Sequence, residues 1–147
     1  MIAWGYMVAT CLAQPAPEQC FPLMNWELAT TIETVVRERP PLFKGDETRE
    51  RSIHQMVKLS WFEAKWRVDA VGDHDKSVGP FQRFGGSRDL LRDVRAATVE
   101  AHRQIAESFK VCWYLPPRQR LAVYARGKCS SARGRELSEI RMAGVVQ

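Results

Sequence analysis

The stretch Glu63-Ala64-Lys65-Trp66-Arg67-Val68-Asp69-Ala70-Val71-Gly72-Asp73-His74-Asp75-Lys76-Ser77-Val78-Gly79-Pro80-Phe81-Gln82 decides how the chain is read. It begins as the end of an amphipathic helix, passes through a polar loop with glycine, and closes on a Gly-x-x-Gln tail. Glu63 and Asp73 stand ten residues apart on either side of the turn. A carboxyl at the edge of an apolar helix face and a second on a facing loop form an arrangement suited to acid–base chemistry. The first is partly desolvated and holds its proton; the second stays solvated and ionised.

Working back from Glu63, the pattern predicts a helix that starts near Asp46 or Thr48. Its apolar stripe is Ile53, Met56, Val57, Ser60, Trp61 and Ala64. Glu63 falls at the edge of that stripe, and Trp61, Phe62 and Trp66 offer an apolar wall. A surface glutamate paired with Lys58 or Lys65 is the alternative. Further upstream, Asn25 can cap a helix carrying Trp26, Leu28, Ala29, Ile32, Val35 and Val36, ended by Pro40-Pro41. Residues 1–24, with three prolines between 14 and 24, read as an irregular N-terminal segment ahead of a domain over 25–147.

Downstream, the glycines and proline of Gly72–Gly86 predict a loop or short hairpin. Ser87 is placed to cap a long helix holding Leu91, Val94, Ala97, Thr98, Ala101, Ile105 and Phe109. Pro116-Pro117 opens another through Leu121, Tyr124 and Ala125, closed by Gly127. A short helix over Glu136–Met142 completes the chain. The fold expected is mainly α, a single α-helical domain with a small irregular or β lobe.

Composition bounds the partners. The chain of 147 residues is 45% hydrophobic and carries a formal charge of +5. No apolar run reaches the roughly 18 residues that cross a bilayer. A basic protein suits anionic polymers. The basic residues are scattered along the sequence, and no nucleic-acid-binding signature appears, so no nucleic-acid partner is expected. Cys11, Cys20, Cys112 and Cys129 form no C-x-x-C pair, and His54, His74 and His102 are spread out, so no metal site is expected. Proximity favours Cys11–Cys20 and, above all, Cys112–Cys129, among three connectivities. Four buried thiols are the alternative. Disulfides would indicate an oxidising destination.

Glu63-Ala64-Lys65-Trp66, Ala70 seven residues after the glutamate, and Gly79-Pro80-Phe81-Gln82 together resemble the soluble lytic transglycosylase and goose-type lysozyme superfamily. That family's pattern is Glu-Ser-x-aromatic, then Gly-Leu-Met-Gln. Leu121-Ala122-Val123-Tyr124-Ala125-Arg126-Gly127 is similar to the family's Ala-x-x-Tyr-Asn-Ala-Gly helix start. The matches run in the family's order over about 65 residues.

The resemblance implies a lysozyme-like α+β fold and cleavage of the β-1,4 bond between N-acetylmuramic acid and N-acetylglucosamine, with no cofactor. Glu63 would be the general acid. Asp73 would be the water-positioning carboxylate of a hydrolase, or a solvated loop residue in a transglycosylase. Ser77, Gly79, Phe81, Gln82 and Tyr124 would bind the peptidoglycan glycan strand. Three departures touch substrate detail: Ala64 replaces serine, Pro80-Phe81 replaces Leu-Met, and Ala125-Arg126 replaces Asn-Ala. Phe84 stands where some goose-type enzymes carry a further acid.

The first thirteen residues are apolar but lack the basic start of a secretory signal. The expectation is therefore an enzyme of the periplasm or cell wall, delivered by another route such as a phage virion. Other virion or secretion-apparatus proteins would then be partners. A structural component that binds the wall with little activity is the rival reading.

Overall fold

The computed structural model describes residues 1–72, 77–84 and 93–146. It is mainly helical with a small antiparallel sheet, as the sequence predicts. The chain divides into two compact units, Met1–Ala101 and His102–Gln147, where the sequence suggested one domain.

The first unit is built on three helices: α1 (Ile2–Leu12), α3 (Trp26–Arg37) and α4 (Glu50–Ala64). A single-turn helix, α2 (Pro17–Cys20), and a 3-10 turn, Phe21–Leu23, join α1 to α3. Residues 1–24 are thus not an irregular segment. Proline count misled, because Pro17 falls at the first turn of α2 and Pro22 in the 3-10 turn, where a missing N–H costs nothing, while Pro15 occupies the bend between α1 and α2. Helix α1 has no charged residue to mark a face. Packing orders it: Ala3, Met7 and Cys11 are fully buried, and α1 lies against α3 and α4. Glu33 of α3 accepts a hydrogen bond from the Ala3 N–H at 2.8 Å, supplying the N-terminal cap that α1 itself lacks. The Cys11–Cys20 disulfide ties its far end.

Helix α3 starts at the predicted cap: the Asn25 side chain accepts from the Leu28 N–H. Its stripe of Leu28, Ala29, Ile32, Val35 and Val36 is buried, each large side chain contributing about 1.5–3 kcal/mol. Helix α4 begins at Glu50, later than the sequence suggested, after Arg49 in a left-handed conformation. Asp46 still acts as its anchor. Its carboxylate accepts from the N–H groups of Arg51 and Ser52 and from the Ser52 hydroxyl.

Three short strands follow, β1 (Val71–Gly72), β2 (Ser77–Val78) and β3 (Arg83–Phe84). They pair antiparallel in chain order, with Val71 opposite Val78 and Val78 opposite Arg83. The predicted loop or hairpin is therefore a three-stranded lobe. Helix α5 (Val94–Val111) begins at a different cap from the one expected. Asp93 accepts from the Ala96 N–H, whereas Ser87 and Leu91 lie outside the described residues.

The second unit holds the remainder of α5, a 3-10 turn Pro117–Gln119, α6 (Ala122–Arg126) and α7 (Ala132–Met142). Two buried serines stitch it together. Ser108 donates to the Arg120 carbonyl at 2.7 Å and accepts from the Tyr124 N–H. Ser138 donates to the Arg118 carbonyl at 2.7 Å and accepts from the Leu121 N–H. Each hydroxyl thereby uses both its donor and an acceptor site, which makes its burial tolerable. Gly127 caps α6 at φ 78°, as predicted. Cys112 and Cys129 are bridged beside Ala122, Leu115 and Val123. No helix among the described residues is long and apolar enough to cross a membrane.

Candidate active site

Glu63 occupies the last turn of α4 and is half-buried. Its neighbours divide by the helical period. Ser60 and Ala64 point into the core, Trp61 is half-buried and Phe62 is exposed. The helix stops abruptly at Ala64, one residue after Glu63. Lys65 and Trp66 both take left-handed backbone angles, φ 49° and 62°. Side chains other than glycine adopt this region at a cost of roughly 1–2 kcal/mol per residue, so surrounding contacts must hold it.

Those contacts are visible. The Lys65 N–H returns to the Trp61 carbonyl, closing the helix end. The Trp66 indole is 1% exposed, and its N–H donates to the Val57 carbonyl at 2.9 Å. The Asn25 amide, whose oxygen caps α3, donates to the Trp66 carbonyl at 3.2 Å. Trp61 packs at a tilt on Trp66, with ring centroids 4.8 Å apart. Trp66 is thus a structural post for the α4 terminus. The sequence grouped it with Trp61 and Phe62 as one apolar wall around Glu63; the three differ in burial because the left-handed turn carries Trp66 inward.

The Gly-x-x-Gln tail joins the same corner. The Ser60 hydroxyl donates to the Pro80 carbonyl at 2.7 Å in a fully buried bond. Ser60 lies one helical turn before Glu63, so the bond ties the tail to the turn of α4 that bears the glutamate. Gly79 sits at φ 80°, where glycine is favoured, and its N–H donates to the Ala70 carbonyl. Phe81 is 1% exposed. Gln82, itself left-handed at φ 46°, donates its side-chain amide to the carbonyls of Ala70 and Gly79, both at 2.9 Å. A Cβ placed on Gly72 would stand 2.6 Å from the Gln82 Oε1, so the lobe closes over a glycine. Ser77 is buried on β2.

Glu63, Ser77, Gly79, Phe81 and Gln82 all belong to the first unit. Tyr124 is buried on α6 in the second. Asp73, with His74 and Asp75, lies outside the described residues. Ser60 and Asn25 were read from sequence only as a stripe member and a helix cap. Their second roles had one available signal: a hydroxyl or amide at the edge of an apolar face must find a partner once buried.

Comparison of the chain with protein-family models, with curated proteins and with solved structures gives no match.

Proposed function

We propose that the chain is a peptidoglycan-cleaving muramidase with a lysozyme-like fold, in which Glu63 protonates the glycosidic oxygen between N-acetylmuramic acid and N-acetylglucosamine. The observation that carries the reading is the buried Ser60–Pro80 hydrogen bond. It draws together the two parts of the motif, the glutamate helix and the Gly-x-x-Gln tail, that the family resemblance requires in one site. Strain supports it as well. Of the four non-glycine residues at positive φ among the described residues, three are Lys65, Trp66 and Gln82, all within this motif. Such strain persists where a structure over-determines it, and it gathers at functional sites.

The chemistry fits the position. A general acid for glycosidic cleavage must keep its proton where most carboxyls have lost theirs. Glu63 stands half-buried in the last turn of α4, beside Trp61 and one helical turn after the buried Ser60. Among the substrate-binding expectations, Gln82 and Gly79 act on the backbone: they set the shape of the lobe that Phe81 fills. The two disulfides are compatible with an extracytoplasmic destination, the periplasm or cell wall, with release from a phage virion as the proposed route.

The rival is a structural virion or secretion component that keeps the fold and binds the wall with little activity. Ala64 and Ala125 favour it, since each stands where the family pattern has a polar side chain. Digestion of purified peptidoglycan by the wild-type protein, read by mass spectrometry, separates the two: the enzyme releases new glycan ends and the structural component releases none.

A further inference from the structure

Glu63 stands two residues before the left-handed pair Lys65-Trp66, in the last turn of α4. Last turns fray, because their carbonyls lack helical partners. A carboxyl that must meet a glycosidic oxygen needs its backbone held to about 0.5 Å. Lys65 is exposed, so burial holds the strained pair only through Trp66. The Trp66 indole N–H returns to Val57 of its own helix. A tie from outside α4 comes from Asn25, whose side-chain amide donates to the Trp66 carbonyl at 3.2 Å.

Asn25 suits this task by residue type. Its Oδ1 accepts from the Leu28 N–H at 3.0 Å while its Nδ2 donates to Trp66. A backbone N–H only donates and a carbonyl only accepts, so the two contacts fix which end of the amide faces which partner. Asp and Ser cap a helix about as well as Asn does. Of the three, only Asn presents an acceptor and a donor on separate atoms. Capping alone therefore does not call for Asn here; the Trp66 carbonyl does. The point from which Asn25 reaches is itself anchored. Leu28 and Ala29 are fully buried, and Trp26 packs edge-on to Trp4 of α1 with centroids 5.1 Å apart.

We infer that Asn25 is a positioning residue: through the Trp66 carbonyl it locks the exit turn of α4 and so holds the Glu63 carboxyl in place to deliver its proton. Its effect on rate rests on the reading of Glu63 as the muramidase acid; the lock itself does not. Asn25 acts through the backbone, so losing the lock lowers turnover and leaves substrate affinity as it was.

The test uses the full chain carrying Asn25→Asp or Asn25→Ser. Both keep a capping oxygen for the Leu28 N–H. Asp has the shape of Asn but sets an oxygen against the Trp66 carbonyl, and Ser is too short to span both partners. Ser131→Ala, which removes the cap of α7 in the second unit, is the control for a general loss of stability. On soluble glycan strands, turnover by both Asn25 variants should fall roughly 10–10²-fold, the scale of a misplacement near 1 Å, with KM unchanged. Ser131→Ala should turn over like wild type at a temperature where all are folded. Amide exchange at Lys65 and Trp66 should quicken in both Asn25 variants while Leu28 stays protected. The ¹³C resonance of the Glu63 carboxyl should shift in them and not in Ser131→Ala. Unchanged exchange at Lys65 and Trp66, an unmoved Glu63 resonance, or turnover retained by both variants overturns the inference, as does an equal loss in Ser131→Ala. A wild-type chain that cleaves nothing, with Asn25 variants that still loosen the turn and shift the Glu63 resonance, sinks the muramidase reading and leaves the lock standing.

Discussion

The Ser60 hydroxyl and the Pro80 carbonyl, twenty residues apart, meet at 2.7 Å inside the first unit. That one bond fixes the distance between the α4 turn bearing Glu63 and the tail bearing Phe81 and Gln82. Ser60→Ala would leave a buried carbonyl without its donor, costing about 1–3 kcal/mol. Urea unfolding should report that loss, and wall cleavage should fall further than the loss of folded protein explains. Cleavage unchanged in a variant of reduced stability would mean that the bond supports the fold and not the site.

How much of this corner was legible beforehand follows from the physics of each part. Helical periodicity marked α3 and the buried stripe of α4, because burial imposes a 3.6-residue repeat on sequence. Asn25 announced a cap, since its side chain acts on its own helix. The Ser60–Pro80 and Asn25–Trp66 bonds depend on tertiary approach and leave no local trace. The same limit hid α1: an all-apolar helix has no polar face to reveal its period, and its cap, Glu33, lies thirty residues away. The left-handed Lys65-Trp66 pair was invisible for a related reason, since neither residue type favours that conformation.

The Cys112–Cys129 bridge closes a separation of 17 residues. In the chain-entropy model a loop of that size contributes roughly 3 kcal/mol. Replacing both cysteines with alanine should lower the denaturant midpoint of the second unit without changing the helical signal of the native protein. A midpoint within error of wild type would contradict this.

His54 stacks on Tyr6 in the contact between α4 and α1, with centroids 4.2 Å apart. Burial, with a smaller contribution from Lys58, lowers the pKa of His54 from 6.5 to about 4. The folded chain therefore binds the proton less tightly than the unfolded chain. The stability from neutral His54 is fully present above pH 6.5 and is lost as pH falls from there towards 4. His54→Phe, which keeps the ring stack, should flatten that part of the stability profile. Partial solvent exposure limits the size of the effect, so its sign is the test: a variant that loses stability as steeply as wild type between pH 6.5 and 4 would contradict it.

Asp73 is the residue that would distinguish two outcomes of the proposed cleavage. If water is the nucleophile, Asp73→Asn should cut activity sharply, and the wild-type products should carry reducing ends. If the muramoyl 6-hydroxyl attacks, the products are 1,6-anhydro sugars and Asp73→Asn should matter little. The register of Gly72-Asp73 ahead of Gly79 favours hydrolysis. Anhydro products together with an active Asp73→Asn protein would overturn that preference and leave Glu63 as the lone acid and base.

The most direct test of the central claim compares wild-type and Glu63→Gln proteins on purified peptidoglycan, with soluble muropeptides identified by mass spectrometry. The substitution keeps the shape of the side chain and removes its proton, a contribution of about 10²–10⁴-fold. The account predicts muropeptides with new N-acetylmuramic acid ends from the wild type, and release reduced by that factor from a Glu63→Gln protein with unchanged circular dichroism. No cleavage by the wild type, or cleavage by Glu63→Gln within a few-fold of it, would contradict the account.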